Sequence, residues 1–302
     1  MSDKETHRDR ISRELSEAME KGTAPWVKPW GTRESCNPQN PITGTVYRGF
    51  NFMWLHMFAG GGHFATWKQI TEKKGTVKPG AKAIPILFWS KLPPGAKPPK
   101  GETAEDPEEG GRRGAPFILK TYMVFHLETA TEGLESLLPP PPPLRPVIER
   151  HAQAEAVICA WDRALRGGIR HEGDRAGYSP SDDRILMPLQ AAFRDDSSYY
   201  ATALHEIGHA TGAADRLDRT VGKRFGDLAY AFEELVAELS AAFLCAEIGI
   251  DGQLQHASYL ASWARILKKD PGAFLRACGL AQKAADRALA EVAPAAIAAA
   301  AE

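Results

Sequence analysis

The sequence predicts an α+β protein of two domains: an N-terminal α/β domain at residues 1–138 and a C-terminal, mainly helical domain with a small sheet at residues 147–302. Three observations predict this division. The 302 residues are enough for two hydrophobic cores. The five prolines at 139–143 are typical of a stiff polyproline spacer, so a linker is expected at 139–146. Two long strand patterns precede this spacer, whereas the patterns that follow it are mostly helical.

Apolar spacing in the first domain predicts, in order, a helix, an extended proline-broken loop, two helices and two strands. These segments are 6–21, 24–31, 51–59, 66–75, 83–91 and 117–127. Three glycines follow the second helix, and a threonine cap and a terminal glycine bound the third. Residues 93–116 are rich in proline, glycine and charge, so a mobile excursion between the two strands is expected there.

The second domain is predicted to contain four helices and one short strand before an alanine-rich tail. The helices are 147–165, 197–210, 227–249 and about 256–268, and the strand is Arg184–Met187. We expect a serine cap at Ser197 and a stop at Gly212 for the second of these helices.

The composition excludes several classes of protein. The net charge is −1 and hydrophobic residues make up 43%, as in ordinary globular proteins. The four cysteines are scattered, which is typical of reduced thiols. The charged N-terminus lacks the apolar core of a signal peptide, and no apolar stretch approaches 18 residues. The expectation is a cytoplasmic protein with no membrane partner.

The segment "ALHEIGHATG" (203–212) places His205, Glu206 and His209 within five residues of one predicted helix. Histidines four residues apart project from one helical face and can bind the same cation. Glu206 lies beside this pair, where a carboxylate can take a proton from metal-activated water, as in HExxH metallopeptidases. The sequence therefore predicts one zinc ion per chain, with His205 and His209 as ligands and Glu206 as the catalytic residue.

Two residues are candidates for the third ligand. Asp215 follows His209 by six residues, after a glycine that can turn the chain back. If the large apolar residues of helix 227–249 face the core, Glu234 and Glu238 lie one turn apart on the opposite face. Glu234 would then be the ligand and Glu238 would hydrogen-bond a ligand histidine. Glu233 points about 100° away from this face. Glu234 is favoured, and Asp215 is the alternative.

Other candidates near this helix have two interpretations. Strand Arg184–Met187 is expected to be an edge strand, either one that binds substrate by strand addition or one with no such role. Tyr199 and Tyr200 could stabilise an oxyanion, but helix packing is the favoured interpretation.

The first domain carries a local excess of positive charge. Residues 28–100 contain eleven lysines or arginines and two acidic residues, and five of the seven tryptophans precede residue 90. Aromatic and basic side chains together bind single-stranded nucleic acid by base stacking and phosphate contacts, largely without reading sequence. Trp54, Trp67 and Trp89 lie in apolar runs and are expected in the core. The candidate contacts with single-stranded DNA are Trp26, Trp30, Tyr47, Arg48, Asn51, Lys73, Lys74, Lys78 and Lys82.

The ordered set of motifs resembles the ArdC-type antirestriction proteins of conjugative plasmids. The resemblance rests on "NPITGTVYRGFNFMWL", "ATWKQITEKKGTVKPGAKA" and "YMVFHLE" in the first half, and on "YSPSDDRILMP", "HEIGHATGAADRLDR" and "EELVAELSAAFLCAEIGI" in the second. It implies an N-terminal single-stranded-DNA-binding domain and a C-terminal zincin/SprT-like metallopeptidase domain. It also implies that His205 and His209 bind the metal and Glu206 is the acid/base, and it favours the "EELVAE" glutamate as third ligand.

Two functions follow from these features. In the first, an antirestriction protein of a mobile element binds single-stranded DNA and hydrolyses a peptide bond of an unknown, DNA-associated protein. In the second, a non-catalytic protein coats single-stranded DNA and its metal site is structural.

Overall fold

The computed structural model describes residues 7–20, 37–91, 117–139, 147–219, 228–250 and 259–292. These residues form two compact units. The described residues between 37 and 139 form the first unit, and residues 7–20 join those from 147 to 292 in the second. The prediction of a two-domain α+β protein is confirmed.

Some of the sequence-based expectations concern parts of the chain outside the described residues. They are the loop at 24–31 with Trp26 and Trp30, the excursion at 93–116, and all but the first residue of the linker at 139–146.

Helix α1, His7–Glu20, comes first in the chain and belongs to the second unit. The first unit contains seven of the described strands and three of the described helices. In chain order they are β1 Gln39–Asn40, β2 Thr45–Val46, α2 Gly49–Ala59, β3 Phe64–Thr66, α3 Trp67–Glu72, β4 Thr76–Val77, β5 Ile84–Lys91, β6 Phe117–His126, α4 Leu127–Ala130 and β7 Thr131–Glu132.

The core of the first unit lies on a three-stranded antiparallel sheet in the order β3-β6-β5. Strands β5 and β6 pair over eight residues, from Ile84 opposite Val124 to Lys91 opposite Phe117. Because side chains alternate between faces, Ile86 and Val124 share one face. A buried cluster forms on that face, and its members are Tyr47, Leu55, Phe64, Ile86 and Val124.

Asn51 joins helix α2 to strand β5 inside this core. Its Nδ2 donates a hydrogen bond to the carbonyl oxygen of Leu87 at 2.7 Å, and its Oδ1 accepts one from the Leu87 N–H at 2.8 Å. The side chain is buried, and these two bonds occupy both of its polar atoms. The sequence-based assignment of Asn51 to DNA contact is therefore wrong.

The glycine turn after α2 is held by a cluster of polar side chains. Glu128 Oε1 lies 2.6 Å from His63 Nδ1, and Glu128 Oε2 lies 3.1 Å from His126 Nδ1. Gly62 has a φ of +102°, and a Cβ there would lie 2.8 Å from His126 Nε2. This position therefore requires glycine both for its backbone conformation and for space.

The second unit contains helix α1, five further described helices and three described strands. The elements that follow α1 are α5 Val147–Ala164, β8 Gly168–His171, β9 Gly177–Ser179, β10 Arg184–Met187, α6 Asp196–Ala210, α7 Leu228–Ile248, α8 Leu260–Lys269 and α9 Ala273–Ala290. Helix α9 occupies part of the segment expected to be a tail, and its buried alanines pack against α7. Within the described ranges, no helix has the length and hydropathy needed to cross a bilayer.

Helix α1 packs against α8 of the second unit, whereas the sequence predicted it to lie in the first domain. Ile11, Leu15 and Met19 are buried along one side of α1. Ser12 Oγ donates a hydrogen bond to the carbonyl oxygen of Leu267 at 2.9 Å. The sequence boundary differs from the structure because the apolar side of α1 identifies a buried face but does not identify its partner.

The small sheet of the second unit has the order β8-β10-β9, with β8 parallel and β9 antiparallel to β10. The expectation that Arg184–Met187 is an edge strand is therefore wrong, because β10 is the central strand and β8 and β9 form the edges.

Asp183, at the turn before β10, has a positive φ of +48°. It binds Arg216 through both carboxylate oxygens at 2.8 Å and accepts a hydrogen bond from Tyr178 at 2.8 Å. The hydrogen bonds from Arg216 lower the pKa of Asp183 to about 2. This contact joins the turn that follows α6 to the small sheet.

We expect Asn51→Ala to lower the free energy of unfolding of the first unit by about 2–4 kcal/mol, because it leaves the Leu87 N–H and C=O buried without a partner. Chemical denaturation followed by circular dichroism would measure the change. Arg48→Ala, at an exposed position three residues earlier, is the control and should change stability by less than about 0.5 kcal/mol. Equal stability of the two variants would contradict the structural role of Asn51.

Candidate metal centre

The motif helix α6 brings two imidazoles together as the spacing predicts. Asp195, rather than the expected Ser197, caps the helix by accepting a hydrogen bond from the Ser198 N–H at 2.7 Å. His205 and His209 lie one turn apart near the end of the helix, and their Nε2 atoms are 3.1 Å apart. The Nε2 atoms of the two rings thus point towards the same position.

Glu234 of helix α7 completes the group. Its Oε2 lies 3.6 Å from His205 Nε2, and its Oε1 lies 3.5 Å from His209 Nε2. One ligand atom from each of these three residues lies within 4.8 Å of the others. Asp215, the alternative third ligand, is exposed in the turn after α6 and is not part of this group.

The spacing of these atoms fits a tetrahedral divalent ion. Two ligand nitrogens that each lie about 2.0–2.1 Å from a tetrahedral zinc are about 3.3 Å apart. The observed separations of 3.1–3.6 Å among the three side chains are close to this value. Imidazole and carboxylate are also donors that zinc and similar divalent ions accept.

The outward nitrogens of the two histidines each face another carboxylate. Glu238 Oε2 lies 3.5 Å from His205 Nδ1, and Glu233 Oε1 lies 3.6 Å from His209 Nδ1. A partner on Nδ1 fixes the ring orientation and leaves Nε2 available as a ligand. The position of Glu238 agrees with the helical-face argument. The contact of Glu233 with His209 was not predicted from the sequence, because no acidic partner follows Glu233 one turn later on α7.

Arg219 is the partner that makes a buried Glu233 possible. Its Nη2 lies 2.7 Å from Glu233 Oε1, and both side chains are only 4% exposed. The same guanidinium donates hydrogen bonds to the carbonyl oxygen of Gly208 at 2.7 Å and to Thr211 Oγ1 at 2.8 Å. A buried charge without such partners would cost several kcal/mol. Arg219 thus also holds the chain that follows α6 against α7.

The charges in this cluster reinforce one another. Burial lowers the pKa of His205, but the adjacent carboxylates of Glu234 and Glu238 outweigh it and raise the pKa above its usual range. Burial raises the pKa of Glu234, but the two histidines outweigh it and lower the pKa. The carboxylates of the cluster therefore stabilise positive charge at the imidazoles. A bound cation would be stabilised by the same carboxylates.

Glu206 and two tyrosines lie around the histidine–glutamate group. Glu206 is buried beside His205 on α6. Tyr230 lies one helical turn before Glu234, and burial together with the charge and hydrogen bond of Glu234 raises its pKa. The Tyr259 ring lies 6.1 Å from that of Tyr230. Burial and the nearby charges of Glu234 and Glu206 raise the pKa of Tyr259. Neither tyrosine was predicted from the sequence to lie at this site.

Tyr199 and Tyr200 have other contacts. The Tyr199 hydroxyl is hydrogen-bonded to His171 Nε2 at 2.9 Å, and the Tyr200 hydroxyl donates to Glu155 Oε1 at 2.9 Å. Both rings are buried, which agrees with the interpretation that they pack the helix.

The predicted DNA contacts in the first unit differ in their exposure to solvent. Tyr47 is only 4% exposed and belongs to the core, so its assignment as a DNA contact is wrong, like that of Asn51. Lys78 is half-buried, and its Nζ donates to the carbonyl oxygen of Thr129 at 3.2 Å. The remaining described candidates are exposed, namely Arg48, Lys73, Lys74 and Lys82.

Comparison with known proteins gives two family matches. Residues 152–280 match a family described as a zincin-like metallopeptidase. Residues 5–125 match the N-terminal domain of the anti-restriction factor ArdC.

Solved structures agree with these matches. The crystal structure of the antirestriction ArdC protein from the R388 plasmid in its Mn(II)-bound form superimposes with a TM-score of 0.71 at 30% identity, over 96% of this chain and 99% of that one. The metal-free crystal structure of the same protein gives a TM-score of 0.70 at 31% identity, over 95% and 97%.

Curated sequences extend the comparison. Protein y4eC of Sinorhizobium fredii is 35% identical over 92% of this chain and 90% of its own length. Two DNA primases TraC of Escherichia coli are 35% identical over 96% and 95% of this chain. The chain spans only 20% and 27% of the length of these primases.

The fold and the histidine–glutamate group define the second unit as a zincin-like metallopeptidase domain. With residues 5–125 matching the N-terminal domain of ArdC and with the ArdC crystal structure superimposing over nearly the whole chain, the chain belongs to the ArdC family of antirestriction proteins.

The close approach of α6 and α7 at the metal centre generates a prediction. A Cβ at Gly208 would lie 2.3 Å from Ser240 Oγ and 3.4 Å from the Ala237 Cα. Ser240 is buried and its hydroxyl donates to the Ala237 carbonyl oxygen at 2.8 Å. We expect Gly208→Ala to destabilise the second unit by about 1–3 kcal/mol. Thermal or chemical unfolding would measure this loss.

Ser240→Ala provides the matched control for that prediction. It removes the oxygen that the new Cβ would meet, so the double variant should recover most of the lost stability. If the double variant is as unstable as Gly208→Ala alone, the close approach at this point is not the cause.

Proposed function

We propose that this chain is an antirestriction protein of a mobile element that binds single-stranded DNA and hydrolyses a peptide bond of a DNA-associated protein. The observation that carries the proposal is the convergence of ligand atoms of His205, His209 and Glu234 within 4.8 Å of one another, beside the buried Glu206. Membership of the ArdC family supplies the antirestriction context.

His205, His209 and Glu234 would hold one zinc ion per chain. Their mutual distances support this assignment, and the related ArdC protein of plasmid R388 has been crystallised with Mn(II). When bound, such an ion supplies Lewis acidity and lowers the pKa of a coordinated water towards neutrality.

Glu206 would move the protons of the reaction. Glu206 follows His205 on α6, is buried and is not a member of the histidine–glutamate group, which supports this role. It accepts a proton from the attacking water and returns it to the nitrogen of the departing amine. A positioned general acid–base of this kind contributes about 10²–10⁴-fold to the rate.

The residues around the cluster would keep the ligands in place. Glu238 and Glu233 hold the two Nδ1 atoms and so fix the imidazole orientations. Tyr230, one turn before Glu234 on α7, interacts with that carboxylate. Each of the three ligands would thus have an outer partner.

The first unit would bind DNA mainly through phosphate contacts. Its described residues, 37–91 and 117–139, include eight lysines or arginines and four acidic residues. The exposed side chains of Lys73, Lys74 and Lys82 offer ammonium groups to the phosphates of a flexible single strand of DNA. Phosphate contacts of this kind do not read the base sequence. Two relatives named as DNA primases are consistent with a DNA partner.

The catalytic role predicts that Glu206→Gln lowers hydrolysis of an unfolded protein by about 10²–10⁴-fold, because the amide cannot accept the proton. Metal content and affinity for single-stranded DNA should be unchanged. The assay measures cleavage with and without single-stranded DNA, and protection of incoming plasmid DNA in cells. Glu247→Gln, at an exposed position of α7, is the control and should behave as wild type.

The same variant separates the two candidate functions. Full protection of plasmid DNA by Glu206→Gln would favour a protein that coats single-stranded DNA and whose metal site is structural. Loss of protection together with cleavage would assign the antirestriction activity to the peptidase.

The assignment of the third ligand predicts that Glu234→Ala loses most of its zinc, with affinity reduced by more than the 10–100-fold typical of removing an outer partner. Asp215→Ala should bind zinc as wild type does, because Asp215 is exposed outside the cluster. Metal content after dialysis and competition with a chromophoric chelator would measure both. The reverse result would make Asp215 the ligand.

A further inference from the structure

Trp67 is the most exposed aromatic side chain among the large hydrophobic residues of the described segments. Its relative exposure is 56%, although its apolar sequence context predicted a core position. Trp54, which was expected in the core on the same grounds, is only 1% exposed. A solvent-exposed indole in a folded domain needs an explanation, because burial of its large apolar surface would be favourable.

The local structure holds Trp67 in a fixed position. It is the first residue of α3, directly after the cap Thr66, and Thr66 and Gln69 form a capping box that fixes this turn. The ring also meets the edge of the Phe125 ring, at a centroid distance of 5.9 Å and an interplanar angle of 64°. A partner that stacks on Trp67 would therefore lose little side-chain entropy by doing so.

Trp67 adjoins an apolar surface on β6 through its contact with Phe125. Phe125 and Met123 are two residues apart on this strand and so lie on the same face of the sheet. Met123 is 41% exposed, and Phe125 is half-buried beneath the indole. We call Trp67, Phe125 and Met123 the tryptophan platform.

Positive charge lies next to the tryptophan platform along the chain. Lys68 follows Trp67 directly, and its side chain is 85% exposed with only a long 3.8 Å contact to Glu72. Lys73 and Lys74 follow at the end of the same helix, and both are exposed. The exposed Lys68–Glu72 ion pair contributes little to stability, so Lys68 remains available to an anionic partner.

These features together match the chemistry of single-stranded nucleic acid. A base has an apolar face that stacks on an exposed ring whatever its identity, and the adjacent phosphates are attracted by lysines. A protein partner of similar affinity would need a larger apolar area than one tryptophan and one methionine provide.

We propose that Trp67 of the tryptophan platform stacks on a base of single-stranded DNA while the lysines of α3 and its following loop contact the adjacent phosphates. This inference rests on the proposed function, in which the first unit binds single-stranded DNA. It assigns the main aromatic contact to a residue that the sequence placed in the core.

The test is fluorescence anisotropy of a labelled single-stranded oligonucleotide of mixed sequence with the full-length protein. Trp67→Ala and Trp67→Leu should weaken binding by roughly 5- to 150-fold, the range for removal of one stacked base. Trp67→Phe should retain most of the affinity. Phe58→Ala removes another aromatic ring, which is 52% exposed on α2, and should bind as wild type does.

Salt dependence separates stacking from charge. Trp67→Ala should keep the wild-type slope of log K against log salt, because it removes no lysine–phosphate interaction. The double variant Lys73→Gln/Lys74→Gln should make the slope smaller by about 0.7 for each lysine that binds a phosphate in the wild type.

The outcomes distinguish the inference from the proposed function on which it rests. If the wild type fails to bind single-stranded DNA, the DNA-binding part of the proposed function is overturned. If the wild type binds and both Trp67→Ala and Trp67→Leu bind equally well, only the stacking role of Trp67 is overturned. An equal reduction of affinity in Phe58→Ala would also overturn it. Unchanged circular dichroism spectra would establish that each variant is folded.

Discussion

The contact between α6 and α7 at Gly208 is the constraint on which the metal centre depends. With no side chain at this position, the backbone of α6 lies against Ala237 and Ser240 of α7. That proximity brings the carboxylates of α7 within 3.5–3.6 Å of the histidines of α6. Two helices separated by a larger residue would hold the same donors too far apart to share one ion.

A close contact between helices that carry buried charges requires compensation within the interface. Helix α7 buries Glu233, Glu234 and Glu238, and burial of a carboxylate costs free energy unless it has a partner of opposite charge or a hydrogen-bond donor. The two imidazoles and Arg219 supply these partners. The polar network therefore specifies which residues of α6 and α7 face each other, in addition to orienting the histidine–glutamate group.

The sequence predicts those parts of this arrangement that depend on local geometry. His205 and His209 follow from spacing on one helix, and Glu234 with Glu238 from one face of another. Glu233 was missed because its partner Arg219 comes from a separate segment. The predictions that Asn51 contacts DNA, that Trp67 is buried and that β10 is an edge strand failed for a related reason. Their exposure or pairing is decided by tertiary contacts, and an apolar pattern cannot show which neighbour covers a residue.

The packing of α1 on α8 makes the first unit an insertion within the second. Helix α1 belongs to the second unit, the described residues between 37 and 139 form the first unit, and the chain belongs to the second unit again from residue 147 onward. Cleavage of the proline-rich linker would therefore not separate the two domains, since α1 would stay bound through its buried apolar face. In this family member, a single proteolytic cut in the linker would leave a nicked but associated molecule.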